Sequence, residues 1–170
     1  MNGAHLHLVV NHLPIVGVII GSLVLIGGYL LKKEQVKLTA LGIFVFTAIT
    51  AMIANFTGEG AEEIAEKIPG VTDALIHNHE ENAETFLALC IALGVTSLIT
   101  FFLTTKKNNL SKIGMLACLI LGLAGIFTGK MAGTTGGEIR HTEIRTGKSI
   151  STIDANTGNA NQMDEDEDGE

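Results

Sequence analysis

The chain reads as an all-α integral membrane protein. It is expected to be a four-helix bundle of two pseudo-repeated helical hairpins, with a short outer amphipathic helix between helices two and three. Three observations predict this. Apolar residues gather in four blocks, roughly 6–31, 36–56, 86–105 and 110–128, each almost free of charge. Lysines concentrate in the short loops that follow the first and third blocks. Short sequence strings recur in order in the two halves of the 170-residue chain.

Each block is close to the roughly 20 residues that a helix needs to cross a hydrocarbon core of about 30 Å. Unpaired backbone groups are costly in lipid, so only helices and closed barrels span it, and blocks this long and continuous read as helices. The first residues, MNGAHLHL, lack the basic stretch of a cleaved signal peptide, so the first helix is expected to stay. Cys90 and Cys118 fall inside helices three and four and read as buried free thiols.

The loops set the orientation. Lys32, Lys33 and Lys37 lie between helices one and two, and Lys106, Lys107 and Lys112 between helices three and four. Of the 18 acids only Glu34 joins them. Lysine and arginine near helix ends favour the cytoplasm. The expectation is a bacterial inner-membrane protein with both termini outside. Its net charge of −7 hides a basic inner rim and an acidic exterior, and nothing suggests a nucleic-acid partner.

The repeat rests on three matches. His5-x-His7 recurs as His77-x-His79 after 72 positions, Lys32-Lys33 as Lys106-Lys107 after 74, and Phe56-Thr57-Gly58 as Phe127-Thr128-Gly129 after 71. Two equivalent hairpins would pack about an axis along the membrane normal.

Helix one carries His7, Pro14, Gly21 and Gly28 at seven-residue steps, and helix four carries Gly122, Gly125, Gly129 and Gly133. Small residues at such spacing let backbones approach in lipid. They serve packing within the chain, or contact with other membrane subunits or a second copy. Pro14 leaves the Val10 carbonyl without its helical partner, so a local bend is expected. In the central segment 59–82, Ala61, Ile64 and Ile68 form the apolar side of the short outer helix. Pro69-Gly70 turns the chain and Thr72 caps the next helix, which is expected to run on into helix three. There His79 shares a stripe with Ile76, Ala83 and Phe86, whereas His77 falls on the wet side.

All six histidines lie on the outer side. Neutral imidazole ligates transition metals and is a common axial ligand of haem. His12 lies about two turns into the first block and about 140° around the helix from His7. His141 follows the Gly136-Gly137 pair and sits between Arg140 and Arg145, which are free to pair with propionates, lipid phosphates or Glu138 and Glu143. The candidate cofactor ligands are His7, His12, His79 and His141, for haem b and electron transfer. The alternative is a copper or zinc site on His7, His12 and His79 with help from Glu59, Glu62 and Glu80. A third reading is a structural subunit of a membrane complex. No nucleophile or poised acid–base pair points to an enzyme.

The segment His7-Leu-Val-Val-Asn-His12-Leu-Pro-Ile resembles the H-P-x-x-V-H-F-P-I opening of a bacterial family of four-helix membrane proteins of unknown function. Leu8 stands where that family has proline and Leu13 where it has phenylalanine. Thr57-Gly58, His79, Gly136-Gly137 and His141 match its later signals, so the resemblance spans about residues 5–141. It implies the four-span topology and the choice of His7, His12, His79 and His141 over His5 and His77.

From 146 onward the chain is polar and ends in an acidic run, 164–168. Such composition cannot bury enough apolar surface to fold alone. The domains expected are therefore 1–145, transmembrane, and 146–170, a disordered external tail.

Overall fold

A computed structural model describes residues 3–145; the expected acidic tail lies outside the described residues. The order is α1 (Gly3–Val10), α2 (His12–Leu30), α3 (Glu34–Ala65), α4 (Asp73–Thr105), α5 (Ser111–Arg140) and a 3-10 turn, Thr142–Ile144. No strand occurs among the described residues. Four stretches are long and apolar enough to cross a membrane: Ala4–Leu30, Glu34–Ala65, Asp73–Thr105 and Ser111–Arg140. Only 28–39% of each stretch's most apolar window is buried inside the chain. Leu23, Phe56, Phe102 and Phe127 are among the many large apolar side chains that point outward. A water-soluble fold would hide such surface. A multi-pass membrane protein places it against lipid.

The first span divides at Asn11. The Asn11 N–H still reaches the His7 carbonyl at 2.9 Å, but Pro14 has no N–H for Val10, so the helical ladder loses a rung where the sequence places the bend. α2 packs on α3, α3 on α4, α4 on α5, and α5 back on α2, while α1 lies along the end of α3 remote from the lysine loops.

Phe44 of α3, fully buried, is the centre of this packing. A Cβ at Gly21 would come within 2.6 Å of its ring, and one at Gly122 within 3.2 Å. A Cβ at Gly125 would lie 3.0 Å from Val18, and one at Gly129 3.0 Å from Phe86. These glycines are therefore filled from within the chain. The small-residue stripes serve packing within the chain at these positions. Several polar residues among the helices are satisfied locally, although the buried Ser22 hydroxyl has no partner among the described residues. Thr47 donates to the Ile43 carbonyl at 2.9 Å and Thr104 to the Thr100 carbonyl at 2.8 Å, and the Ser97 hydroxyl meets the buried Cys118 thiol at 3.4 Å.

The lysine loops close two helices in the same way. Lys33 N–H donates to the Gly28 carbonyl at 3.1 Å and Lys32 N–H to the Tyr29 carbonyl at 3.2 Å. At the other loop, Asn108 N–H donates to Leu103 and Lys107 N–H to Thr104, both at 2.9 Å. This is the Schellman pattern, which needs one left-handed residue. Lys32 (φ 54°) and Lys107 (φ 53°) take that place instead of the usual glycine.

The outer segment departs from expectation. No separate short amphipathic helix follows helix two, because α3 continues unbroken through Glu59, Glu62 and Glu63 to Ala65. Gly58 and Gly60 weaken a helix by only about 1 kcal/mol each, and nothing between Phe56 and Ala65 removes a hydrogen bond. The first true stop is Pro69-Gly70, with Gly70 at φ +82°. α4 runs without a break from Asp73 into the membrane, as expected. Thr72 sits at its cap position in an extended conformation, but its side chain makes no capping bond.

Candidate functional site

At the end of the molecule remote from the lysines, two histidines turn inward. His7 extends the stripe of Pro14, Gly21 and Gly28, all three buried. Its Nδ1 lies 3.0 Å from the Ala54 carbonyl and 3.2 Å from Thr57 Oγ1 on α3. A carbonyl can only accept, and the Thr57 hydroxyl already donates to Ala54 at 2.9 Å. His7 Nδ1 must therefore carry the proton and donate it. That choice leaves the lone pair on Nε2.

His79 repeats the arrangement on α5. Its Nδ1 lies 3.2 Å from Thr135 Oγ1, and the Thr135 hydroxyl donates to the Met131 carbonyl at 3.1 Å and to Ala132 at 3.2 Å. His79 Nδ1 again donates and Nε2 again keeps its lone pair. The ring rests on Gly136, where an added Cβ would approach Cε1 to 2.9 Å. Gly58 lies beside His7 more loosely: an added Cβ there would stand 4.0 Å from the His7 Cε1, an ordinary contact. Both imidazoles are half-buried, and they stand near enough for their charges to interact. Asn11, one helical turn beyond His7, adds a buried Oδ1 with no hydrogen-bond partner among the described residues.

The structure brings together two of the four histidines singled out from sequence. His12 is exposed on the opposite side of its helix from His7, as their angular separation requires, although its charge still reaches His7. His141 is exposed, and its Nδ1 donates to Glu143 Oε1 at 2.9 Å. The Glu143 carboxyl is held below the usual carboxylate range by its own backbone N–H, and then by His141. His77 lies outside the site, 3.4 Å from Glu81. His5 is exposed.

Two features escaped the sequence reading. The imidazoles seat on the same string, A-x-x-T-G, at Ala54–Thr57–Gly58 and at Ala132–Thr135–Gly136. The F-T-G copy had masked it. Arg145 pairs with no acid among the described residues. Its guanidinium donates to the carbonyls of Glu138 at 2.7 Å, Ile139 at 3.0 Å and Gly70 at 2.8 Å. It thereby satisfies the end of α5 and ties it to the outer turn, a role open to any arginine near a helix C-terminus.

A shallower acidic cleft of about 210 Å³ lies between the ends of α3 and α4, lined by Glu62, Glu66, Asp73, Ile76, His77 and Glu80. The carboxyl groups of Glu62 and Glu80 meet there. Among the described residues no three His, Cys, Asp or Glu side chains converge as a metal-ligand set. Comparison with family models, with curated proteins and with solved structures returns no match for this chain.

Proposed function

We propose that this chain is a membrane-embedded binding protein that holds haem b between His7 and His79, at the outer end of a four-helix bundle, for electron transfer near the membrane surface. The observation that carries the reading is the matched pair of imidazoles. Each has its Nδ1 proton committed to the protein and its Nε2 lone pair uncommitted. Histidines that ligate metals commonly donate their other ring nitrogen in this way, which fixes the tautomer and aims the ring. Two such histidines on different helices would be the residues that hold haem iron. The unpartnered Asn11 Oδ1 suits a ligand that carries a polar group. Bound there, haem supplies one-electron chemistry. Thr57, Thr135 and the Ala54 carbonyl orient the imidazoles, and the surrounding apolar side chains restrict water.

The same two nitrogens suit a copper or zinc ion, the second reading of this site. In this proposal the two hairpins are pseudo-equivalent copies, each presenting one histidine to an A-x-x-T-G seat. The lysine rim faces the cytoplasm and the imidazoles face the periplasm of a bacterial inner membrane. The first-helix motif supports grouping the chain with the four-helix membrane family that it resembles.

The test is absorption spectroscopy and elemental analysis of the purified full chain. A Soret band is expected, lost in His7→Ala and in His79→Ala and kept in His12→Ala and His141→Ala. Bound copper or zinc without a Soret band would select the metal reading. A colourless, metal-free protein would refute both.

A further inference from the structure

At the lysine end, α2 and α5 part. They touch where Gly122 meets Ser22 and Gly125 meets Val18. Beyond that contact a cleft of about 580 Å³ opens between them and is closed behind by the start of α3 and the end of α4. Its walls divide by chemistry. Ile26, Leu30 and Leu116 form an apolar strip toward the membrane interior, with Leu30 78% and Leu116 54% exposed. Lys37, Lys112 and Ser111 stand at the rim. The Lys37 Nζ is drawn over the Tyr29 ring, 5.3 Å from its centroid, with its stem packed on Gly28. Glu34 is the single acid in the wall, and it is also the single acid among the six lysines of this end.

We infer that this cleft is a binding site for one anionic phospholipid, with the phosphate between Lys37 and Lys112 and an acyl chain along Ile26, Leu30 and Leu116. The charge at the rim is complementary to phosphate, and basic pockets between helices at a membrane surface recognise such headgroups. The position is that of a lipid already in its leaflet: Lys37 and Lys112 stand in the first turns of α3 and α5, and the apolar strip runs from Leu30 at the loop end inward to Ile26. Ser111 Oγ and the Tyr29 hydroxyl are available as donors to phosphate oxygens. A soluble anion would find the lysines but leave the strip bare, so the lipid is the occupant. Held there, it closes the gap between α2 and α5.

The experiment is native mass spectrometry of the full chain in detergent, titrated with phosphatidylglycerol, phosphatidylcholine or glycerol phosphate. One phosphatidylglycerol is expected to be retained, with weaker phosphatidylcholine binding and no retained glycerol phosphate. Each lysine near a lipid headgroup is worth about fivefold in binding, so Lys37→Gln/Lys112→Gln should weaken retention by about 25-fold. The charge-matched pair Lys32→Gln/Lys106→Gln should change it by less than about threefold on the same scale. Leu116→Trp keeps every charge and fills the cleft, so it should abolish retention even if the double lysine variant does not fold. Equal losses in the two lysine pairs, equal binding of both lipids, or retention unaffected by Leu116→Trp would overturn the assignment.

Discussion

Replacing Lys32 and Lys107 tests whether the two loops store backbone strain. Both residues hold a left-handed backbone, φ 54° and 53°, to complete a Schellman turn. A residue with a Cβ loses roughly 1–2 kcal/mol in that conformation, and glycine loses almost none. Substitution also removes a cation from a helix C-terminus, worth about 0.3–1 kcal/mol. Comparing Lys→Gly with Lys→Ala at the same position cancels that charge effect. The glycine variant should be more stable than the alanine variant by about 1–2 kcal/mol at each loop, reduced by the few tenths that glycine costs through its freer unfolded chain. The two turns share no hydrogen bond, so the differences should add, and the double variants should differ by about twice the reduced single value. Reversible unfolding in mixed micelles, followed by circular dichroism, measures this directly. Glycine and alanine variants of equal stability would refute the strain argument. Lysine in these places despite the strain fits a demand for charge at that membrane surface.

Other expectations concern the histidine end. Gly136→Ala should push the His79 ring from its seat and weaken its bond to Thr135, at a cost of about 1 kcal/mol in stability; nitrogen-detected NMR of the His79 imidazole would report the displaced hydrogen bond. Arg145→Gln removes the guanidinium that donates to three carbonyls, and limited trypsin digestion at Lys67, in the turn it holds, should accelerate about tenfold, since a charged hydrogen bond contributes about 1.5 kcal/mol or more. The Glu143–His141 contact should respond to acid. Because the folded-state carboxyl is depressed, its contribution is present above the ordinary glutamate range and lost as pH falls through the depressed value. The 3-10 turn should therefore loosen only in strongly acidic solution, visible in the His141 proton shifts, and loosening between pH 6 and 7 would contradict this.

The four spans were legible because hydropathy alone sets them, and the lysine loops mark two of their ends. The inward turn of His79 was legible too, because Ile76 and Phe86 fix the stripe on which it lies. The length of α3 was not. Its last part is polar and contains Gly58 and Gly60, which resemble a boundary in sequence, yet the helix runs on to Ala65 and tighter turn bonds then carry the chain to Pro69-Gly70. The histidine seats were hidden for a different reason. Phe56 and Phe127, which carried the sequence match, point outward at 87% and 66% exposure, whereas the contacts belong to Ala54, Thr57, Ala132 and Thr135, spaced by 78 residues and not 71. His12 was singled out by its depth in an apolar block, but once His7 faces inward their angular separation leaves His12 outside.

The unbroken α3 has a consequence for traffic to this end of the protein. At 32 residues it is about 48 Å long, and α4 at 33 residues is slightly longer, so both overshoot a hydrocarbon layer of about 30 Å. The overshoot between 59 and 84 carries eight carboxylates and one lysine. It forms a negatively charged collar around the helix segment that carries His79. Such a field attracts cationic visitors and turns anions away, more weakly as salt rises. Whatever approaches the histidines from solution is sorted by the sign of its charge before it touches them.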